Sequence, residues 1–469
     1  MKKKINIKNI LLIIILFLFI ISYYFIYKKI NKKIIYIGCL YSKTGIIGKD
    51  SYNNYICLKE SLNYAIKKYN INIEFIFLYK DLSDNINNYY NWVEECIKKY
   101  NVKYFFGCWR SSERMKIIPL LNKYNARLFY PLQYEGFECV KNINYFGTTP
   151  NQQLIPGLKY MFSKFSNYKN IYVIGNNYIY PLRSNNIIKK FIKNNPIYQK
   201  KYAGSCFFND NNKNILFKKF IKKIFDESPN GAIILNLING YNINLEFKKE
   251  LYIAYYKKFK IIPIKYYYET DKLLKYINDN FKDKNKNEIE IYQKYPLISF
   301  SISENSYDIK DQKYNFNNYY VNNFCNQILE NNIYQIYNGL RSVDKDTNFL
   351  QSYSSQYNIK VGAEQYSTFL SSLFFCKTIS LLLKKNLDIY NPIIYDKYKY
   401  ISIISINGEH ILNNNNNITN NFIVSKIGYN NIFNIVYQSY KTIVPKLYIE
   451  TDKNIQCNFL NNKQAITIF

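Results

Sequence analysis

Aromatic, hydroxyl and amide side chains that could bind a small ligand are concentrated in one stretch of the chain, residues 104–157. Residue types that are rare elsewhere also accumulate there, including four of the 15 glycines, four of the 11 prolines and one of the two tryptophans. Two segments, GCWRSSER at 107–114 and FYPLQYEGFE at 129–138, adjoin the ends of predicted strands. Ligands of open α/β proteins bind beyond the carboxyl ends of strands, so we expect aromatic walls and hydrogen-bonding groups to meet at this edge.

The reactive side chains argue against most enzyme chemistries. The chain has one histidine, His410, in a polar stretch beside 413–417 that indicates a solvated surface loop. A serine or cysteine nucleophile would need that residue as its base. The nine cysteines contain no C-x-x-C pair, which argues against a zinc site or a dense disulfide framework. Small buried thiols are expected, one or two disulfides are compatible with export, and no cofactor or metal is predicted.

The net charge of +31 is a weak indication of nucleic-acid binding. The abundant residues are Lys, Asn, Ile, Tyr and Phe, which have A/T-rich codons, whereas arginine occurs only five times. A phosphate-binding surface would be expected to use the bidentate guanidinium group. A biased genome is the favoured explanation, and no nucleic-acid partner is predicted. The hydrophobic content of 48% argues for a folded chain.

The N-terminus predicts export. Four lysines precede an uncharged run at 10–27, which has 18 residues and is flanked by further lysines. That length is at the lower edge of what spans a bilayer, and no small-x-small cleavage site follows. Both a signal peptide and an uncleaved signal anchor fit, and either would place the rest of the chain outside the cytoplasm. We interpret Cys39 as part of a buried strand and not as a lipoprotein site.

Strands and helices alternate along the chain, which predicts an α/β fold with parallel sheets flanked by helices. Predicted strands at 34–40, 73–78, 104–107 and 127–130 are separated by helices at 55–69, 92–99 and 117–124. The pattern restarts with helices at 154–165, 185–193 and 217–225 and strands at 170–175 and 231–237, which indicates a second lobe and a cleft between the two. A Lys-, Tyr- and Asn-rich stretch at 255–294 is predicted as an insertion, and the asparagine tract near Asn415 as a flexible hairpin loop.

The segments in the 104–157 block resemble the family of periplasmic urea and short-chain amide receptors of ABC transporters. Members carry similar G-C-[WY]-x-S, Y-P-x-x-Y-E-G and P-N-Q runs, the last found here at 150–152. Looser matches occur in the same order at 37–45, 175–181 (GNNYIYP), 236–240 (NLING), 299–304 (SFSISE) and 337–344. The resemblance covers roughly residues 34–450.

This resemblance implies a type 1 periplasmic-binding-protein fold with a ligand cleft between two lobes. The implied organisation is a signal segment at 1–33, lobe 1 at 34–148, lobe 2 at 149–335, returns to lobe 1 at 336–400 and to lobe 2 at 401–450, and a tail at 451–469. The implied partners are a small neutral ligand and an ABC permease. The ligand-binding positions that match the family's motifs are Trp109, Ser111, Tyr130, Gln133, Tyr178, Tyr180, Ser303 and Glu304.

Two features of the first lobe favour urea over an amide. Trp109 stands where the amide-sensing branch tends to have tyrosine, and the chain reads P-L-Q where that branch has P-T-P. Asn177, Tyr241 and Leu182 depart from the family's pattern in the second lobe. Urea is planar, with one acceptor and four N–H donors, so it needs flat walls, several acceptors and a donor to its carbonyl.

Two other functions fit the sequence less well. A membrane-anchored sensor of the same fold, with no transport role, would share the ligand but control another protein. A carboxylate-assisted amidohydrolase fits less well because the sequence shows neither a metal-ligand cluster nor an available histidine. The favoured interpretation is therefore a transport receptor, and the protein is not expected to be an enzyme.

Overall fold

The computed structural model describes residues 14–19, 32–138, 140–258, 294–300, 319–322, 341–359, 361–427, 433–439 and 441–446. Of the sequence predictions, those for Ser303, Glu304 and most of the N-terminal run at 10–27 lie outside these residues. Residues 14–19 of that run are helical and exposed.

The first lobe is built on a five-stranded sheet whose described strands are all parallel, in the order β2-β1-β3-β4-β5. The strands are β1 (Lys33–Leu40), β2 (Ile73–Tyr79), β3 (Tyr104–Gly107), β4 (Arg127–Tyr130) and β5 (Ile143–Tyr145). The intervening helices are α1 (Gly48–Lys68), α2 (Ile86–Tyr100) and α3 (Ser111–Lys123). β3 and β4 are wholly buried, as expected for short apolar strands covered on both faces.

The second lobe has a seven-stranded sheet in the order β14-β13-β10-β9-β8-β6-β7. Its strands are β6 (Asn170–Asn176), β7 (Lys201–Phe208), β8 (Ile233–Leu237), β9 (Leu297–Ser299), β10 (Tyr319–Asn322), β13 (Ile423–Ile427) and β14 (Phe433–Gln438). The first five run parallel, whereas β13 and β14 are antiparallel additions. The helices α4 (Leu154–Lys164), α5 (Ile179–Asn194), α6 (Lys213–Glu227) and α7 (Tyr241–Lys258) flank this sheet. The predicted α/β architecture with two lobes is confirmed.

The chain then returns to the first lobe through α8 (Arg341–Tyr357), α9 (Ala363–Lys384) and α10 (Pro392–Tyr398). Helix α9 packs along α1 and is buried on nearly all sides, in the same core as the first sheet. It is the one helix among the described residues that is long and apolar enough to cross a membrane. Because most of it is buried inside the fold, its composition is explained by its place in the core.

Two chain segments that connect the lobes lie side by side. The first runs from β5 into α4, and the second includes the asparagine tract. The Tyr145 amide donates to the Asn416 carbonyl at 2.7 Å, and the Ile418 amide donates to the Tyr145 carbonyl at 3.0 Å. Asn416 and Asn417 are buried, and the Tyr134 hydroxyl donates to Asn417 Oδ1 at 2.5 Å. The tract therefore packs against the crossover and is not the flexible loop that its low complexity predicted.

The structure corrects three further predictions. The hairpin β11 (Ser402–Ser405) and β12 (Gly408–Ile411) contributes Ile403 to the core of the first lobe, so the return to the second sheet begins at β13 and not at 401. Residues 255–258 belong to α7, where Tyr255 is buried, so they are not part of an insertion.

His410 is also placed differently from the prediction, because it is fully buried in β12. One ring nitrogen lies 3.0 Å from the Tyr366 hydroxyl and the other 2.8 Å from the Thr419 carbonyl. Burial lowers the pKa of this histidine to about 4. The ring therefore joins α9 to the hairpin as a neutral group, which is a structural use that sequence polarity did not reveal.

Candidate functional site

A cleft of about 270 Å³ lies between the two lobes at the carboxyl ends of their parallel strands. Each group of lining residues lies at or after the carboxyl end of one strand: β1, β3, β6, β7 or β8. The lining residues are Ile46, Ile47, Trp109, Arg110, Ser112, Asn176, Asn177, Tyr178, Phe208, Asn209, Asp210 and Asn239. This is the position where ligands bind in open α/β sheets, and the volume is close to the lower end of small-molecule pockets.

Trp109 is held in the first-lobe wall of the cleft through its backbone. One carboxylate oxygen of Glu113, Oε2, accepts hydrogen bonds from the Trp109 amide at 2.8 Å and the Arg110 amide at 2.9 Å. The Trp109 carbonyl accepts from the Tyr130 hydroxyl at 3.2 Å. Glu113 lies in the first turn of α3, where a carboxylate that binds preceding amides fixes the start of a helix. Burial raises the pKa of Glu113 to about 7.

The turn before Trp109 depends on Gly107. Its φ of +119° belongs to a region that side-chain-bearing residues rarely adopt, and a Cβ there would lie 2.4 Å from the Leu40 carbonyl oxygen. Cys108 follows with φ +62°. The close contact with Leu40 and the positive φ explain why glycine is found at the end of β3. The turn that they form leads into the cleft-lining segment from Trp109 to Ser112.

Arg110 lines the cleft next to Trp109 and forms an ion pair with Asp84. Its Nη2 lies 3.4 Å from Asp84 Oδ2, and the same oxygen accepts from the Ile47 amide at 3.0 Å. One quarter of the Arg110 side chain is exposed, against 9% for Asp84. The cation that lines the cleft is therefore paired with a carboxylate that lies behind it.

The second-lobe wall is rich in amides. The Asn239 backbone amide donates to Asn176 Oδ1 at 2.6 Å, and the Asn239 Nδ2 donates to the Tyr178 hydroxyl. The Asn239 Oδ1 is buried and accepts no hydrogen bond from any residue that the structure describes. Burial raises the pKa of Tyr178 well above its usual value, so the phenol stays neutral. The wall therefore contains a buried acceptor without a partner among the described residues, next to the Tyr178 ring.

Of the predicted ligand-binding residues, the structure brings Trp109 and Tyr178 together at the cleft. The other four that it describes are buried and are not among the lining residues. Ser111 donates to Glu135 at 2.6 Å, Gln133 Nε2 donates to the Phe300 carbonyl at 2.9 Å, and Tyr130 donates to Trp109. Tyr180 forms a side-chain hydrogen bond with Ser184. The hydrogen bonds of these four residues lie behind the lining residues, where they stabilise the lobes and the walls of the cleft.

A buried ionic cluster supports the first-lobe wall. The Arg114 Nε lies 2.6 Å from Glu138 Oε1, and its Nη2 lies 3.4 Å from Glu135 Oε2. The guanidinium carbon lies 4.5 Å from the centre of the Tyr130 ring, within cation–π range. Glu135 and Glu138 therefore both pair with the arginine of α3.

Sequence reasoning missed Arg110, Asp210 and Asn239 as site residues. Two signals were present, because Arg110 is one of five arginines and adjoins Trp109, and Asn239 lies in the quoted NLING segment. Asp210 is exposed in a polar loop after β7 and had no distinguishing signal. Among the described residues no group of His, Cys, Asp and Glu is arranged to hold a metal ion, and six cysteines are free and buried.

Comparison with known proteins identifies the kind of molecule to which this geometry is similar. A family model described as a periplasmic binding protein domain matches residues 35–454. A solute-binding protein of an ABC transporter from R. palustris, solved with benzoate, has a TM-score of 0.63 at 10% identity, covering 88% of this chain and 98% of that chain.

Two further solved structures show the same fold. A solute-binding protein from Rhodopseudomonas palustris HaA2, solved with p-hydroxybenzoic acid, has a TM-score of 0.65 at 13% identity, covering 88% of this chain and 97% of that one. A branched-chain amino acid transporter substrate binding protein from Streptococcus pneumoniae, solved with isoleucine, has a TM-score of 0.59 at 11% identity, with coverages of 88% and 100%. At these identities the likeness supports the fold and not the ligand.

Proposed function

Because the chain belongs to the periplasmic binding protein domain family, we propose that it is an extracytoplasmic receptor that captures urea or a short-chain amide and delivers it to an ABC permease. The ligand occupies the cleft between Trp109 and Tyr178. Family membership supports a binding role outside the cytoplasm. Retention at the membrane through residues 10–27 is part of the proposal and rests on the uncharged N-terminal run.

The observation that carries the ligand proposal is the unpaired Asn239 Oδ1 in the second-lobe wall. A buried acceptor without a partner costs free energy, and that cost is recovered when a ligand donates to it. The N–H groups of urea and of primary amides are such donors, with a plane that fits beside the Tyr178 ring. Asn176 and Asn177 line the same wall and supply further amide groups.

The opposite wall supplies a donor for the ligand's carbonyl oxygen. Ser112 lines the cleft as the second residue of α3, a helix of 13 residues. The first amides of a helix have no partner within it and carry the positive end of the helix dipole. A carbonyl oxygen placed at Ser112 and N–H groups placed at Asn239 would use both walls of the cleft at once.

The size of urea sets the affinity that such a cleft can reach. With four heavy atoms at a ceiling of about 1.5 kcal/mol each, binding reaches roughly 6 kcal/mol, which corresponds to a Kd in the tens of micromolar. Such affinity requires contact on nearly every side of the ligand. A two-lobed protein achieves this by closing its lobes around the ligand.

Calorimetry on the full-length protein tests the proposal, with urea, acetamide, formamide, leucine and benzoate as probes. We expect binding of urea or one of the small amides and no binding of leucine or benzoate. Replacing Asn239 by leucine, which has the same number and branching of side-chain heavy atoms but no acceptor, should weaken amide binding by about tenfold or more because an N–H group of the bound ligand would lose its acceptor.

Two results would contradict the proposal. Binding of leucine or benzoate without any small amide would refute the ligand while leaving the receptor role intact. Release of ammonia during incubation with urea would refute the receptor role itself, because a receptor returns its ligand unchanged.

A further inference from the structure

Arg110 is the only cationic side chain among the described residues that line the cleft, and Asp210 is the only anionic one. An unpaired guanidinium in an enclosed site selects carboxylates, because its two N–H groups match the two oxygens of the anion. A receptor for neutral amides therefore needs a feature that prevents Arg110 from recruiting carboxylates.

We propose that Asp84 is a specificity-determining residue that neutralises Arg110 and so sets the cleft for neutral ligands over carboxylates. This inference rests on the proposed function. Asp84 Oδ2 lies 3.4 Å from Arg110 Nη2, and Asp84 is not itself among the residues that line the cleft. It acts on the ligand through Arg110 by cancelling its charge and by occupying one of its donors.

The position of Asp84 is fixed before any ligand arrives. Its backbone amide donates to Ser42 Oγ at 2.9 Å, and its Oδ2 also accepts from the Ile47 amide at 3.0 Å. Its φ of +54° is unusual for an aspartate, and a Cβ on Gly45 would lie 2.4 Å from its Oδ2. The carboxylate is therefore held against Arg110 by the surrounding turn and not by the ligand.

A purely structural role for Asp84 would be to hold the turn at 42–47. That role is mainly carried by Asp81, whose Oδ1 accepts from the Lys43 amide at 2.7 Å and the Ser83 amide at 3.0 Å. Asp81 Oδ2 also accepts from the Thr44 hydroxyl at 2.8 Å. Among the residues that the structure describes, Asp81 forms no ion pair with Arg110, so Asp81→Asn is the matched control. It weakens the same turn without changing the charge beside Arg110.

Acetamide, acetate and acetamidinium are nearly the same size and shape but are neutral, negative and positive, so they form the test set. Calorimetry at pH 7.5 on the full-length protein gives the ratio of their affinities for each variant. In Asp84→Asn the affinity for acetate relative to acetamide should rise by about tenfold or more, because one negative charge near the site is removed. In Asp81→Asn this ratio should match the wild type.

The reciprocal variant, Arg110→Gln, leaves the charge of Asp84 uncompensated. Its affinity for acetamidinium relative to acetamide should rise by a similar factor, and this variant decides the question if Asp84→Asn does not fold. Unchanged ratios in the folded variants would overturn the inference. If the wild type binds neither urea nor any of the three probes, the proposed ligand class fails, yet a gain of acetate binding in Asp84→Asn would still support the role of Asp84.

Discussion

At the scale of single residues, the cleft is organised around the indole of Trp109. The chain has two tryptophans, and the other, Trp92, lies on α2 with the Lys80 ammonium 6.0 Å from its ring centre. Only Trp109 lines the cleft. A bound ligand should therefore change the surroundings of one indole and not of the other.

Tryptophan fluorescence tests this placement. We expect a ligand-dependent change in emission in the wild type, the same change in Trp92→Phe, and none in Trp109→Phe, because the reporting indole is absent. The ligand is whichever small amide binds by calorimetry. A signal that survives in Trp109→Phe and disappears in Trp92→Phe would remove Trp109 from the site.

Glu113 makes the stability of the first-lobe wall depend on pH. Its folded-state pKa of about 7 lies above the ordinary value of 4.5, because burial disfavours the charged form. The contribution of protonated Glu113 to the free energy of unfolding is therefore complete below about pH 4.5 and is lost as the pH rises through 7. Complete loss of this contribution lowers the free energy of unfolding by at most about 3 kcal/mol.

Glu113→Gln keeps an oxygen for the amides of Trp109 and Arg110 but cannot ionise. We expect the melting temperature of the wild type to fall relative to this variant between pH 5 and pH 8. Other titrating groups contribute to both proteins and cancel in the difference. A difference that stays constant across this range would show that Glu113 does not titrate there. Heat is the appropriate denaturant, because urea is a proposed ligand.

Residue type alone predicted only part of the site. Trp109 and Tyr178 reach the cleft, and rarity made the tryptophan informative. Ser111 lies two positions after Trp109 and has a hydroxyl that could bind a ligand. Its hydroxyl instead donates to Glu135. Adjacent positions at the start of a helix point in different directions, and the sequence does not say that Ser112 and not Ser111 lines the cleft. The Arg110–Asp84 pair joins segments 26 positions apart and had no local signal.

At the scale of elements, short buried strands were the most predictable feature. The bounds of β3 and β4 agree with the prediction because an apolar run ends where the strand leaves the core. Most helices were predicted too short. For example, α1 begins at Gly48, and its first turns contain the buried polar residues Ser51 and Asn54. Strand β7 was missed because Lys201–Phe208 lies at a sheet edge and contains Gly204, so it lacks a continuous apolar run.

Gly147 determines how the segment after β5 packs against the segment after β4. A Cβ at this position would lie 1.9 Å from the Leu132 carbonyl oxygen and 2.4 Å from the Gln133 amide nitrogen. Neither atom can move without displacing the backbone between Tyr130 and Gln133. Close packing of two backbones therefore explains why the chain keeps glycine here.

Gly147→Ala should lower the free energy of unfolding by about 2–3 kcal/mol or more, because overpacking against backbone is not relieved by side-chain rotation. Gly204→Ala is the matched control. Its Cβ would meet the flexible Lys223 ammonium at 3.1 Å, so a change below about 1 kcal/mol is expected. Thermal unfolding measures both. Equal melting temperatures for Gly147→Ala and the wild type would show that this contact can relax.

At the scale of the whole molecule, the most prominent feature of the composition, the net positive charge, gives the least information about function. The charge of +31 comes from lysines spread over the chain, whereas the described residues that line the cleft include one cationic side chain, Arg110, and one anionic side chain, Asp210. The two lobes were predictable because the strand–helix pattern repeats. The hairpin at 402–411 was assigned to the wrong lobe, because chain order does not reveal which sheet a late segment rejoins.

The paired crossover at Tyr145 and Ile418 has a consequence for how the protein would move. If the lobes rotate about this point, its backbone hydrogen bonds stay formed in both the open and the closed state. Amide hydrogens at these two positions should therefore exchange slowly with deuterium whether or not ligand is present. The amide of Ser112, which lies in the first turn of α3 and is proposed to donate to the ligand, should become protected only when ligand is bound. Equal ligand-dependent protection at both places would mean that the asparagine tract itself opens, and that the pivot lies elsewhere.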